Sequence, residues 1–499
     1  MTQREQTLSR RLEECQQELA AARRENELLR QKIDLLVRRV FGSSSEKLDR
    51  AQLELLQLPE PVPQEPLPTP EKQLRLPIPR RERTPRLPEN LPVVEEVIDP
   101  EPVKEEPQAW RCIGQEVSEQ LDYEPARFLR RRLIRRKYVH RMCRDRAPVI
   151  AALPERLLDR SLPAPGLLAQ VLVGKYCDHL PLYRQEQIFL RRHQVHLPRQ
   201  TLARWVGLAA EWLKPIYDQI RTGVLGGGYV QVDETPINYL EPGYGRARRG
   251  YLWTGSRPGG DVFYHWDTSR AAACLKDIIP VKFNGTIQCD GYAGYRSFAN
   301  ERGQSIRLAG CWAHVRRKFY EALEFSPRTA SWIMRNIQHL YRVEARLREL
   351  RAGPQLRQAV RASDSRPVVQ RLQRALVRLK SGGRHLPQSV LGQAIDYALG
   401  QWSTLEVFLE DGRVEIDNNL VENAIRPTAL GKKNWLFIGE AGAGERGAII
   451  YTVIESCRRR SLDPYAYLKD VLSRLPSMTN KQIPLVTPEA WNRNHPVVL

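Results

Sequence analysis

Two carboxylates stand out by where the hydropathy pattern sets them. In YVQVDETPINYL, Tyr229, Gln231 and Asp233 share one face of a strand by period two, with Val230 and Val232 on the other. In GTIQCDGYAGY, Thr286, Gln288 and Asp290 stand opposite Ile287 and Cys289, and Gly291 follows to permit a tight exit. Both acids are expected at strand ends. A carboxylate on an otherwise apolar strand is costly beside a second one unless a cation joins them. Mg²⁺ (or Mn²⁺) suits that role, because it takes hard oxygen ligands and keeps waters that can act as nucleophiles. Two such ions about 3.5–4 Å apart can stabilise the attacking and leaving oxygens of a phosphodiester. Glu422 is the third candidate ligand. It lies one turn into a helix whose start is marked by Asp417, Asn418 and Asn419, with Arg426 at i+4 able to reach a phosphate or the carboxylate. The spacing Asn419-x-x-Glu422 equally fits a capping box, and Glu234, Glu415 and Asp417 are rival ligands. The residues alone leave these alternatives open.

The elements around these acids fall into blocks. Leu8, Leu12, Cys15, Leu19, Ala22, Asn26, Leu29, Ile33, Leu36 and Val40 alternate by four and three, the seam of a parallel two-stranded coiled coil, with Asn26 fixing register. A homodimer through residues 8–40 is therefore expected, within a helix assigned to 1–48. Residues 59–107 hold 14 of the 36 prolines, so 49–108 reads as an extended linker. FLRRRLIRRKYVHRMCR then reads as a basic β-ribbon within 109–150, its Arg131, Arg132, Arg135, Arg136 and Lys137 either contacting phosphate or lining a solvated strand. Residues 151–222 read as helices. PLYRQEQIFLRRH, the break QVHL and PRQTLARWVGLAAEWL make a helix-turn-helix pattern, with Arg199, Gln200, Thr201 and Arg204 at the end that can reach DNA. Strand-like runs occupy 223–315, basic helices 316–412, and a new helix in 413–462 runs into a Gly-rich turn, GEAGAGERG, before a tail at 463–499.

Composition narrows the classes. The 499 residues carry 78 Lys+Arg against 58 Asp+Glu, a formal net charge of +20, which points to nucleic acid as the partner. Apolar residues at 41% are enough for packed cores, at a length that suggests several domains. No apolar run reaches about 18 residues, which excludes a helical membrane span, and the charged N-terminus lacks a signal core. The eight scattered cysteines read as reduced thiols of a cytoplasmic, nucleoid-associated protein.

Six blocks in series sharpen this reading: RVFGSSSEKL, GLLAQVLVGKYCDHLPLYRQEQIF, QVDETPINYL, CDGYAGY, GCWAHVRRKF, and IDNNLVENAIRPTALGKKNWLFIGEAGAGERGAIIYTVIESCRRRSLDPYAYL. Together they resemble the transposase of the IS66 insertion-sequence family over nearly the whole chain. The resemblance implies a multidomain α+β protein: an N-terminal coiled coil, a small basic β domain, a helix-turn-helix domain, and an RNase H-like α/β catalytic core interrupted by a helical insertion. It implies a DDE transposase whose acidic triad falls on Asp233, Asp290 and Glu422. The partners would be the terminal inverted repeats and target DNA, with higher assembly on DNA and accessory proteins of the same element. His314, Arg316, Arg317, Arg426, Lys432 and Lys433 are candidate DNA contacts or, equally, helix-surface charges. One departure from the family pattern concerns a small zinc-binding domain after the linker. Here Cys112 stands alone, followed by His140-x-x-Cys143, and three candidates do not complete a four-ligand site, so zinc is not expected there. The rival readings are a transposase-derived repressor without catalysis and an RNase H-like nuclease without strand transfer.

Overall fold

The computed structural model describes residues 91–124, 127–141, 147–157, 162–241, 243–383 and 385–494. The coiled coil expected at residues 8–40, the linker up to residue 90, and Cys143 lie outside them. Among the described residues, helices are combined with two mixed sheets.

Strands β1 (Val93–Ile98), β2 (Trp110–Glu124), β3 (Arg127–His140) and β4 (Val149–Ile150) form the first sheet, with β3 as its hub. The β2–β3 pairing is the expected antiparallel ribbon. β1, together with a short helix at Glu101–Glu105, corrects the expectation of an extended linker to residue 108. The side chains of β1 are mostly exposed, so burial does not hold it. Its backbone pairs in parallel with β3 along all six residues, and Glu95 opposite Arg132 adds a partly exposed ion pair. Leu121, Tyr123 and Phe128 carry the apolar face of the ribbon into the main core.

Helices α1 (Pro165–Tyr176), α2 (Leu182–His193) and α3 (Arg199–Leu225) follow. The break is where QVHL put it: Gln194 takes a left-handed conformation (φ 56°) that ends α2, and Pro198 precedes α3. Along α3, Leu202, Val206, Ala209, Leu213, Ile216 and Ile220 recur by four and three and are buried, the stripe of a helix laid on a core. Those residues belong to the same core cluster as the second sheet, so 151–222 is not a separately cored domain, and α3 runs three residues past its expected end.

The second sheet contains β5 (Tyr229–Tyr239), β6 (Arg248–Ser256), β7 (Val262–Asp267), β8 (Gly285–Gln288) and β9 (Ile306–Ala309). Its order is β7-β6-β5-β8-β9, antiparallel from β7 to β5 and parallel from β5 to β9. β5 stands at the centre. Helix α4 (Trp312–Glu321) opens the helical region. That region is shared between two compact units. One comprises 315–338 and 370–400, with a core including Phe319, Ile333, Ile337, Leu372, Leu376 and Ile395. The other comprises 91–314, 339–369 and 401–494.

Within this second unit, α5 (Asn419–Trp435) leads through the short strand β10 (Phe437–Ile438), paired with β5, into α6 (Ala441–Arg458) and α7 (Pro464–Arg474). The expected Gly-rich turn is thus the first part of a helix. Gly444 lies against the Trp266 indole, and a Cβ there would collide with the ring, so this glycine serves close helix–sheet packing. The expected tail is likewise structured: Tyr467, Leu468, Val471 and Leu472 of α7 are buried.

Candidate active site

The sheet register sets the two aspartates side by side. Gln231 pairs with Gln288, the last rung between β5 and β8, and 57 residues separate them. Asp233 and Asp290 each follow two residues beyond that rung, and they are near enough for the Asp290 charge to raise the Asp233 carboxyl. Asp233 is not at the end of β5, which continues to Tyr239 along β6; it is at the point where pairing with β8 has stopped. Asp290 lies just past β8 and accepts the Tyr292 N–H at 2.9 Å. Gly291 beside it has no room for a side chain, because a Cβ would meet the Gln401 amide.

Below the aspartates, a buried polar network ties the sheet to the segment before α5. Tyr229 Oη and Gln231 Nε2 donate to Gln288 Oε1 (2.5 and 2.9 Å). Gln288 Nε2 donates to the Glu415 carbonyl (2.8 Å), Gln231 Nε2 to the Asp417 carbonyl (2.9 Å), and the Glu415 N–H donates to Tyr229 Oη (3.0 Å). The alternation that aims Asp233 and Asp290 outward thus also anchors the approach to Glu422.

The rivals of Glu422 have other partners. Glu415 is held bidentately by Arg357 (2.7 Å to each oxygen). Asp417 accepts the Asn419 N–H and side-chain amide (3.1 and 3.0 Å). Glu234 accepts from Arg270 and from Tyr295 Oη (2.6 and 2.7 Å). Asn419 is already inside the helix with its amide on Asp417, and the N-cap Asn418 makes no side-chain cap, so the capping-box alternative is not what forms. Glu422 is half-buried, with Oε1 3.6 Å from His314 Nε2.

Charge crowding shows in the acidity of Asp233. Burial first, then the neighbouring charges of Glu234, Asp290 and Glu422, push its carboxyl up to about 8, against a hydrogen bond from the Glu234 N–H. Burial also raises Glu234, with Tyr295 and Arg270 pulling the other way. A buried carboxyl raised in this manner beside other acids is one that a hard divalent cation could relieve, with Asp233, Asp290 and Glu422 the residues that could hold it.

Comparison with known proteins then decides the family. Residues 160–446 match the family model described as Transposase IS66 family. The chain belongs to the IS66 transposase family. Residues 452–488 match the IS66 C-terminal element, and residues 28–95 match a model described as Transposase C of IS166 homeodomain. The chain is similar to three proteins of Sinorhizobium fredii. It is 36% identical to uncharacterized protein y4jD over 428 residues (81% of each chain) and 36% identical to uncharacterized protein y4qI over 402 residues (77% of this chain, 73% of the relative). It is 28% identical to uncharacterized protein y4hP over 500 residues (93% and 88%). Membership of a transposase family makes DNA the partner and DNA cleavage the enzyme class. Among the described residues, no helix is long and apolar enough to cross a membrane.

The expected DNA contacts of this IS66-family chain divide into two sets. On the ribbon, Arg131 pairs with Glu96 and Asp122, Arg132 with Glu95 and Glu119, and Arg135 and Lys137 both with Glu116. Arg136 bonds Tyr138. The density of arginine is therefore matched largely by acids of β1 and β2. Sequence reading missed this because Glu95 and Glu96 were placed in a linker. On α3, Arg199, Gln200 and Arg204 are exposed at its first turns and Thr201 is half-buried. Arg316 and Arg317 are exposed on α4, as are Arg426 and Lys433 on α5. Lys432 is committed locally, donating to the Pro236 carbonyl and Thr235 Oγ1 (3.2 and 3.3 Å). Cys311, Tyr295 and Arg270 border the acids and were not singled out from sequence.

Proposed function

We propose that this chain is a DDE transposase that binds the terminal inverted repeats of its element and catalyses strand cleavage and strand transfer. The observation that carries the reading is the convergence of Asp233 and Asp290 at one register offset with Glu422 from α5, close enough for their charges to raise Asp233. The sheet order supports an RNase H-like core, with the first strand central, a hairpin on one side and parallel strands on the other. Asp233, Asp290 and Glu422 would hold Mg²⁺ or Mn²⁺, which when bound polarises water and stabilises charge on the phosphodiester oxygens. The network of Tyr229, Gln231 and Gln288 keeps the three carboxylates in fixed relation. Arg426, one helical turn from Glu422, orients the phosphate. Cleavage at the element end frees a 3′-hydroxyl, which attacks target DNA, and no protein nucleophile is required. Helices α2 and α3 read the repeat, while residues 8–40 pair two protomers so that both ends sit in one complex.

The test is cleavage and strand transfer on a labelled element-end duplex with Mg²⁺ and a supercoiled target. Asp233→Asn, Asp290→Asn and Glu422→Gln are expected to bind DNA within a fewfold of wild type and to lose at least about 10³-fold in cleavage, the loss of a metal ligand being worth several kcal/mol. Binding without cleavage by the wild type would favour a repressor, and cuts without joined products a nuclease.

A further inference from the structure

Cys311, His314 and Glu422 come together where α4 and α5 begin. Cys311 immediately precedes α4 and His314 follows it by three residues, so both point to one side of the helix start. The three residues present sulfur, imidazole nitrogen and carboxylate oxygen, and the donor atoms lie within 4.8 Å of one another. His314 Nε2 and Glu422 Oε1 are 3.6 Å apart. Tetrahedral zinc, at bond lengths of about 2.0–2.3 Å, sets its ligand atoms roughly 3.3–3.7 Å apart, so the closure needed is at most about 1.5 Å. The sulfur is already oriented: it accepts backbone N–H bonds from Asn418 and His314, and Cys311 is only 2% exposed. Backbone donors of this kind stabilise a metal-bound thiolate.

We propose that Cys311, His314 and Glu422 form a binding site for a zinc-class divalent cation. A soft sulfur, an imidazole and one carboxylate select Zn²⁺ over Mg²⁺, which prefers oxygen donors throughout. Three protein ligands leave a fourth position to water. The site is distinct from the incomplete set of Cys112, His140 and Cys143. Its place in the fold gives it a regulatory consequence, which rests on the transposase reading above: Glu422 is common to both ligand sets, so zinc withdraws it from Asp233 and Asp290 and inhibits Mg²⁺-dependent cleavage.

The test uses the full chain, stripped with chelator and titrated with Co²⁺ as a spectroscopic stand-in for zinc. Wild type is expected to bind one Co²⁺ through Cys311 with a thiolate-to-cobalt charge-transfer band in the near ultraviolet and intense tetrahedral d–d bands, both abolished by Zn²⁺. Cys311→Ser is expected to lose the charge-transfer band, His314→Gln to weaken binding at least tenfold, and Asp290→Asn to leave the spectrum intact. Absence of the band in wild type, or its persistence in Cys311→Ser, overturns the site. In the activity arm, micromolar zinc inhibits wild-type cleavage and the inhibition is relieved in Cys311→Ser; inhibition that survives in Cys311→Ser overturns the regulatory consequence. Cobalt binding is read without DNA, so expected spectra alongside absent cleavage would sink the transposase reading and leave the metal site standing.

Discussion

At the scale of single residues, Asp233 is the most exacting position. Its ordinary value is 3.8 and the fold raises it to about 8, so the folded state favours the protonated acid. The associated stability is fully present below about pH 4 and is lost as the pH rises through about 8. Asp233→Asn removes that loss. In chelator, the melting-temperature gap between Asp233→Asn and wild type is expected to be near zero at pH 4 and to widen up to pH 8. Mg²⁺ is expected to raise wild type more than the variant at pH 8. A gap that stays flat with pH would mean that the carboxylate is not desolvated. Both aspartates were legible in the sequence, because period two and a neighbouring glycine are local signals. The reason for Gly291 was not: contact with Gln401, across more than a hundred residues, leaves no trace in the pattern.

At the scale of elements, two polar devices hold the approach to α5. The first is the network of Tyr229, Gln231 and Gln288. Gln288→Leu keeps the volume but leaves Tyr229 Oη and the Glu415 and Gly310 carbonyls without that partner. The expected cost is about 1–3 kcal/mol in denaturant unfolding, with cleavage falling much further than DNA binding as Glu422 loses its fixed position. Equal falls in binding and cleavage would assign the network to stability alone. The second device is the fully buried pair Arg361–Glu344, with Arg361 also donating to the carbonyls of Phe408 and Val414. Burial pushes the Glu344 carboxyl up, but hydrogen bonds from Arg361 and Arg357 outweigh it and hold the group below its usual range. Glu344→Ala strands a buried guanidinium and is expected to cost about 3–5 kcal/mol, read as the shift in urea midpoint. The helices themselves were readable from four-and-three spacing and from the break at Gln194. Neither device was, since Arg361 and Glu344 look in sequence like two more charges on a basic amphipathic stretch.

At the scale of the whole molecule, a net charge of +20 says that DNA is met somewhere but not where. The ribbon, the densest basic run, is largely neutralised by its own sheet, whereas the first turns of α3 keep exposed cations. Arg132→Ala is expected to leave the salt dependence of DNA binding unchanged and to lower the melting temperature slightly. Arg199→Ala is expected to reduce the slope of log K against log [salt] by about 0.9, the value of one released counterion. The reverse pattern would return the ribbon to the interface. A charge run does not reveal its own pairing, because that depends on which strands become neighbours, and β1 lies in proline-rich sequence.

The packing of α6 on β7 has a consequence in time. Thr452 Oγ1 accepts the Tyr264 N–H across 188 residues. At ribosomal speeds of about 5–20 residues per second, the partner that seals the central sheet emerges roughly 10–40 s after the strand it covers. Until then the nascent chain carries Asp233 and Asp290, and for the last 30 residues Glu422 as well, without a closed core. A chain that ends before this helix is therefore expected to carry all three carboxylates without the packed sheet that holds them in place.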